Sequence, residues 1–87
     1  MMTNEPMSKI FVTLNTEYGV RDQRIVAVRP RGESEWLKTH RALGMLVVAD
    51  PKQVEVGDCL RLAGRSETLT TSRIVEVKRG PLMSFAA

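Results

Sequence analysis

Arginine gives this sequence most of its capacity for binding chemistry. Nine of the thirteen basic residues are arginine, and a guanidinium group holds phosphate or carboxylate through two parallel hydrogen bonds. Residues 20–41 carry six basic and three acidic residues, residues 61–79 carry five and two, and the rest of the chain carries two and five. Basic charge is therefore concentrated in two stretches, and the fold decides whether those stretches meet.

Two interpretations of the basic stretches stay open. In the first, arginines contact a nucleic acid, and the candidate residues are Arg21, Arg24, Arg29, Arg31, Arg61, Arg65 and Arg73. In the second, a GC-rich genome favours arginine over lysine, and a net charge of +3 is far from a dense basic face. Small barrels that bind nucleic acid also use aromatic side chains on which bases stack, and Phe11 and Tyr18 are the expected stackers.

Catalytic and metal-binding motifs are missing from the sequence. It has no P-loop, no HExxH, no CxxC and no GxSxG pattern. One histidine, His40, and one cysteine, Cys59, do not supply the ligands of a zinc site. We expect Cys59 to be a small semi-buried residue and His40 to pack, hydrogen-bonded, on an apolar face. The sequence predicts no enzyme, catalytic residue, metal or cofactor, although a pocket joining His40 to Cys59 would reopen that question.

The chain is organised around a β-hairpin between residues 54 and 78. Leu60 and Leu62 alternate with Arg61, which is the period of a strand with one buried face. Residues 63–67 contain a glycine and three polar side chains, which suits a hairpin loop.

The return strand of this hairpin begins near Leu69 and is rich in β-branched residues, which favour pleated sheets. Neither alternate set of its residues is cleanly apolar, because Ile74 and Val75 are neighbours that both favour burial. The pattern therefore predicts a bulge near Arg73, and bulged strands curl in the way that closes small barrels.

The N-terminal part of the chain predicts two further strands. Residues 9–15 form a compact run of β-favouring residues, and residues 24–28 form a second. Residues 16–19 carry turn chemistry through their glycine. We expect an antiparallel pair with a long connection over residues 15–22.

A short helix is predicted over about residues 34–43. Ser34 can cap its N-terminus, and Gly44 suits a left-handed C-terminal cap. Trp36 and His40 fall on one helical face, so Trp36 is the expected core anchor between helix and sheet. Because a helix of this length is unstable alone, it must pack on the sheet.

The fold class that follows is α+β, mainly β. Residues 45–49 form a continuous apolar run that predicts the most buried strand, and residues 54–56 can add a short one. We expect one domain over residues 9–81, built as a strongly bent antiparallel sheet of five or six strands. The alternative is a partly open small barrel that the helix plugs at one end.

Tails flank this domain in the sequence. Residues 1–8 are polar and predict a flexible N-terminal tail. Residues 82–87 are apolar and either cover the barrel or contact a partner, in which case Leu82, Met83 and Phe85 are the interaction residues.

These observations favour a small non-enzymatic domain of bacterial type that acts as a protein-interaction module. Its partner is an unknown protein or a second copy of the chain, bound through a sheet edge or the apolar tail. The alternative is a nucleic-acid-binding barrel that uses the arginines of residues 21–31 and 61–79. No apolar run approaches the length that spans a bilayer, so the expectation is a soluble cytoplasmic protein without membrane contact.

Overall fold

Six antiparallel strands form a closed barrel in the computed structural model, which describes residues 8–80. The strands are β1 (Ser8–Thr13), β2 (Thr16–Arg21), β3 (Arg24–Pro30), β4 (Leu46–Val47), β5 (Cys59–Ala63) and β6 (Thr68–Gly80). Each strand pairs with the next along the chain, and β6 pairs with β1. A 3-10 helix, Pro51–Gln53, lies between β4 and β5. The predicted mainly β, strongly bent antiparallel sheet is confirmed, and it closes.

The central hairpin forms as its sequence predicts. Leu60 and Leu62 are fully buried in β5, whereas Arg61 between them is exposed. Ala63 pairs with Thr68, so residues 64–67 form the loop. Alternating polarity alone is enough to orient this strand, because one face meets the core and the other meets water.

Two irregularities in β6 confirm the predicted bulge near Arg73. Cys59 pairs with Arg73 and Arg61 with Thr70, so β6 uses one residue more than β5 over this interval. The pairing of β1 with β6 also shifts, because Val12 faces Glu76 whereas the next residue, Thr13, faces Ile74. Bulges bend a strand and increase its twist, and here they let the 13 residues of β6 reach both β5 and β1.

The bulges also settle which apolar residue of β6 enters the core. Ile74 is buried, whereas its neighbour Val75 is 37% exposed. Thr71, at the first bulge, is buried, and its hydroxyl accepts a hydrogen bond from the Leu60 backbone N–H at 3.0 Å. The side chain therefore satisfies a backbone donor that lies where the pairing of β5 with β6 shifts.

Side chains fill the barrel interior, as expected for a barrel of so few strands. The buried cluster consists of Phe11, Tyr18, Val20, Ile25, Val28, Ala42, Met45, Val47, Val54, Leu60, Leu62 and Ile74. All six strands contribute to it, and Ala42, Met45 and Val54 join it from the connecting segments.

The prediction of a long connection over residues 15–22 is wrong. Residues 16–21 form β2, which pairs with β1 on one side and β3 on the other. Asp22 and Gln23 make a two-residue turn in which both residues have positive φ, 52° and 65°. Such turns match the twist of hairpins but normally contain glycine, and here only Asp22 is a residue that favours turns.

The helix predicted over residues 34–43 is absent from the described structure, which has only turns and bends there. This segment runs beside β3 instead. The N–H of Leu37 donates to the Val28 carbonyl, and the N–H of Gly44 donates to the Ile25 carbonyl, both at 2.8 Å. Because β3 pairs with β4 only where Arg24 meets Leu46, carbonyls of β3 accept hydrogen bonds from this irregular segment instead, and these bonds outweigh the weak stability of so short a helix.

Two details of that prediction have separate outcomes. Gly44 does take the left-handed conformation, with φ of +87°, but it ends a turn over residues 41–44. Trp36 is not a core anchor, since it is half-buried and its ring lies over the Arg29 guanidinium. A stripe of apolar residues at helical spacing was therefore a misleading signal.

The predictions for residues 45–49 and 54–56 are also wrong. The apolar run pairs only over Leu46–Val47, and it alternates: Val47 is buried whereas Leu46 and Val48 are exposed. Residues 54–56 form no strand, because a turn already begins at Val56, which is exposed. Adjacent apolar residues therefore do not indicate a strand with two buried faces here.

Candidate docking face

The outer surface of β4, β5 and β6 brings together predicted site residues from distant parts of the chain. The register places Arg61 opposite Thr70 and Cys59 opposite Arg73. The N–H of Val48 donates to the carbonyl of Arg61 at 2.9 Å, which fixes the end of β4 beside β5. We define the docking face as Leu46, Val48, Cys59, Arg61, Thr70 and Arg73, all of which are exposed.

Apolar and basic groups share this face. Leu46 is 43% exposed and Val48 is 62% exposed, so both present hydrocarbon to water beside Arg61. Both point outward because Val47 between them fills the barrel interior. Neighbouring exposed apolar residues rimmed by polar ones mark interaction surfaces more often than isolated apolar residues do.

The docking face contains no carboxylates, and those nearest to it lie beyond the ends of its strand segments. Residues 46–48, 59–63 and 68–73 contain no aspartate or glutamate. Asp58 precedes β5, and its carboxylate accepts the Glu55 N–H at 3.0 Å. The arginines of the face therefore have no opposite charge among the outward side chains of these strand segments.

The remaining predicted arginines divide between two places. Arg24 faces Leu46 across β3 and β4, and Arg21 faces Arg24 across the preceding turn. Arg65 lies in the loop that follows β5. These three extend the basic surface beyond the docking face, at the end of the barrel where that loop lies.

Arg29 and Arg31 lie elsewhere. The Arg29 guanidinium donates two hydrogen bonds to Oε1 of Glu17, at 3.0 and 2.9 Å, and stacks on the Trp36 ring with 4.1 Å from its central carbon to the ring centroid. Arg31 donates to the carbonyl of Leu14 at 3.5 Å. Arg29 is therefore committed to the fold, because its charge is matched by a buried carboxylate.

Sequence reasoning missed Glu17 altogether. The sequence predicts a turn at this position, yet Glu17 is a buried residue of β2 that pairs with Arg29 in β3. The signal that could have found it is the cross-strand pairing of opposite charges, which requires β2 to be recognised as a strand first.

The expected stacking residues are unavailable on the surface. Phe11 is fully buried and Tyr18 is nearly so, which makes the prediction of Phe11 and Tyr18 as stackers wrong. Burial raises the pKa of the Tyr18 phenol above its ordinary value of 10.0, and a hydrogen bond with Thr16 opposes that shift. A nucleic acid on this barrel would contact neither ring.

The predictions for His40 and Cys59 have different outcomes. His40 is a packing residue, as expected: its Nδ1 accepts the Ala42 N–H at 3.0 Å, and its ring meets the Tyr18 ring edge-on. Cys59 is exposed on the docking face, so its predicted semi-buried role is wrong. Among residues 8–80, no three His, Cys, Asp or Glu side chains are grouped to hold a metal ion.

A groove of about 700 Å³ lies near the turn between β2 and β3. Its described lining consists of Lys9, Val20, Asp22, Gln23, Asp50, Pro51 and Lys52. Two lysines and two aspartates balance each other there, and Lys9 is already bonded to the Pro51 carbonyl at 2.9 Å. The described lining therefore favours neither an acidic nor a basic ligand.

The two predicted tails fall mostly outside residues 8–80. Leu82, Met83 and Phe85 lie outside the described residues, as do residues 1–7. The predicted N-terminal tail ended at residue 8, which is instead the first residue of β1. Within residues 8–80, no helix has the length and apolar character needed to cross a bilayer.

Comparison with known proteins gives no match to a family model, to a curated protein or to a solved structure.

Proposed function

We propose that this protein is a non-enzymatic interaction module whose docking face binds an acidic surface on a partner protein. The observation that supports this most is the exposure of Leu46 and Val48 beside Arg61, on a face without carboxylates. A partner that places an apolar side chain between acidic groups would match both features of the face.

The composition of the face resembles that of protein interfaces. The centres of such interfaces are more apolar than the rest of the surface, are enriched in arginine, and are depleted in lysine, aspartate and glutamate. Covering the exposed parts of Leu46 and Val48 would contribute about 1 kcal/mol each. Arg61 and Arg73 would add charge complementarity, which sets partner choice and association rate more than affinity.

A second copy of the chain fits this face poorly. Two copies meeting face to face would set arginines against arginines, and the face offers no carboxylate to receive them. Closure of the sheet also leaves β1 and β6 paired with each other, so the strand addition expected from an exposed edge has no place there. The partner is therefore a different and acidic protein.

Duplex nucleic acid is the second candidate, because Arg61, Arg73 and the Thr70 hydroxyl all suit phosphate contact. With Phe11 and Tyr18 buried, such binding would rest on the charge of the phosphate backbone and would weaken steeply with salt.

We assign the module to the cytoplasm, because an exposed unpaired thiol at Cys59 suits a reducing compartment.

The test is selection of peptides from a random displayed library against the immobilised full-length protein. We expect enriched peptides to carry aspartate or glutamate around a large apolar residue. Their affinity should fall at least tenfold in Arg61→Glu and in Arg73→Glu. The matched control is Arg79→Glu, which makes the same charge change in β6 beyond the docking face; its affinity should stay within about twofold of that of the original protein.

Labelled duplex oligonucleotides, titrated at low and at physiological salt, separate the two candidates. Peptide enrichment without duplex binding at physiological salt supports the protein partner. Salt-sensitive duplex binding that Arg61→Glu abolishes, with no acidic peptide enriched, supports nucleic acid instead. Enriched peptides that lack acidic residues, or that bind all three variants equally, would contradict the proposed face.

A further inference from the structure

A second, smaller cavity lies at the end of the barrel, between the turn over residues 41–44 and the loop over residues 64–67. It has a volume of about 280 Å³, and its described lining consists of Arg41, Leu43, Gly44, Met45, Gly64, Arg65, Ser66 and Glu67. We propose that this cavity binds a tetrahedral oxyanion of the phosphate type, independently of what the docking face binds.

The charges that line the cavity favour an anion. Arg41 and Arg65 supply two positive charges against the one negative charge of Glu67. Arg24 lies beside them, since its Nη1 donates to the carbonyl of Gly44 at 2.9 Å. Guanidinium groups donate paired hydrogen bonds to phosphate oxygens, and the Ser66 hydroxyl is a further donor in the lining.

The ion pair within the cavity can be exchanged at low cost. Nη2 of Arg41 is 3.4 Å from Oε1 of Glu67, and the two side chains are 63% and 51% exposed. Exposed pairs of this kind contribute little stability. A dianionic phosphate would therefore displace the Glu67 carboxylate from Arg41, so that Glu67 acts as a competitor for the site.

The walls of the cavity are held in place before any ligand arrives. The N–H of Gly64 donates to the Glu67 carbonyl, and the N–H of Gly44 donates to the Ile25 carbonyl, both at 2.8 Å. The walls also lie close together, because a Cβ added at Gly64 would come within 3.1 Å of Cε of Met45. A site whose backbone is already fixed loses less conformational entropy when it binds.

Inorganic phosphate is the probe for this inference. The ¹⁵N-labelled full-length protein is titrated at constant ionic strength, with chloride as the replaced ion, and backbone amide shifts are followed. We expect saturable shifts in residues 41–45 and 64–67. Arg41→Gln and Arg65→Gln should each weaken binding about tenfold, because each removes a charge-assisted contact. Glu67→Gln should strengthen binding several-fold, because the competing carboxylate is gone.

Opposite signs for these variants keep the test decisive, since a loss of folding cannot tighten binding. Arg79→Gln, an exposed arginine near the end of β6, is the control and should change nothing. A short phosphoserine peptide forms a second arm: tighter binding than inorganic phosphate identifies a phosphorylated partner as the source, and equal binding identifies the free ion. Shifts spread over the whole surface, or Glu67→Gln binding no more tightly, would overturn the proposal.

Discussion

Thr71 is the residue through which the β6 bulge can be tested most sharply. Its hydroxyl accepts the Leu60 N–H at 3.0 Å and donates to the Ser72 carbonyl at 2.8 Å, and the side chain is 7% exposed. Thr71→Val keeps the shape and removes the hydroxyl. The buried Leu60 N–H then has lost its acceptor, which costs about 1–3 kcal/mol. For a domain of this size, that loss lowers Tm by about 5–20 °C.

The assay is urea unfolding followed by circular dichroism, with Tm measured alongside. Thr70→Val is the matched control, because Thr70 is the exposed neighbour in the same strand, and it should change stability by less than about 0.5 kcal/mol. Thr71→Ser keeps the hydroxyl and should lose only about 0.8 kcal/mol for its missing methyl group. If Thr71→Val and Thr70→Val proved equally stable, the hydroxyl would not be supporting the bulge, and the reasoning would be refuted.

Three further predictions concern the turns and buried groups of the barrel. Gln23→Gly should stabilise the protein by about 0.5–1 kcal/mol in urea unfolding, because glycine relieves the positive φ of 65°; a loss of stability would contradict the turn geometry. Arg29→Leu should lower the free energy of unfolding by about 2–4 kcal/mol, and by more than Glu17→Leu does, because it leaves the more deeply buried charge, that of Glu17, without its opposite charge. The double variant should recover part of that loss; strictly additive losses would contradict a coupled pair. Because burial raises the pKa of folded Tyr18 above its unfolded value of 10.0, its contribution is complete below that pH and declines as pH rises through the folded pKa. Unfolding measured at about pH 9 and about pH 11 should therefore show a smaller alkaline loss in Tyr18→Phe than in the original protein; an equal or larger loss would contradict that assignment.

The central hairpin could be predicted from sequence because local rules and the core agree there. Leu60 and Leu62 alternate with Arg61, and the adjacent apolar residues Ile74 and Val75 indicate the bulge. Period, loop composition and β-branched residues all indicate the same structure.

The helix over residues 34–43 and the missed β2 strand show where local rules stop. Capping residues and a helical stripe are present, but carbonyls of β3 require donors, and the irregular segment supplies them from Leu37 and Gly44. That requirement depends on how few residues β4 contributes to the sheet, which is a tertiary property. The turn at Asp22 and Gln23 likewise adopts positive φ without glycine, so Asp22 is its only local signal.

The sequence alone predicts only part of the docking face. Arg61 and Arg73 were both candidates, yet only the bulge places Arg73 opposite Cys59 and on the same outer surface as Arg61. Leu46 and Val48 were expected to be buried, because a run of adjacent apolar residues does not reveal which of them face outward. Arg41 was not selected as a site residue, since its position beside Arg65 depends on the course of the loop.

The most direct test of the docking face is the affinity of one selected acidic peptide for the original protein, Arg61→Glu and Arg79→Glu at physiological salt. An acidic partner site on this face predicts at least a tenfold loss in Arg61→Glu and no more than about a twofold change in Arg79→Glu. Equal losses in both variants would show that the peptide responds to net charge alone, and no loss in either would place binding elsewhere on the barrel.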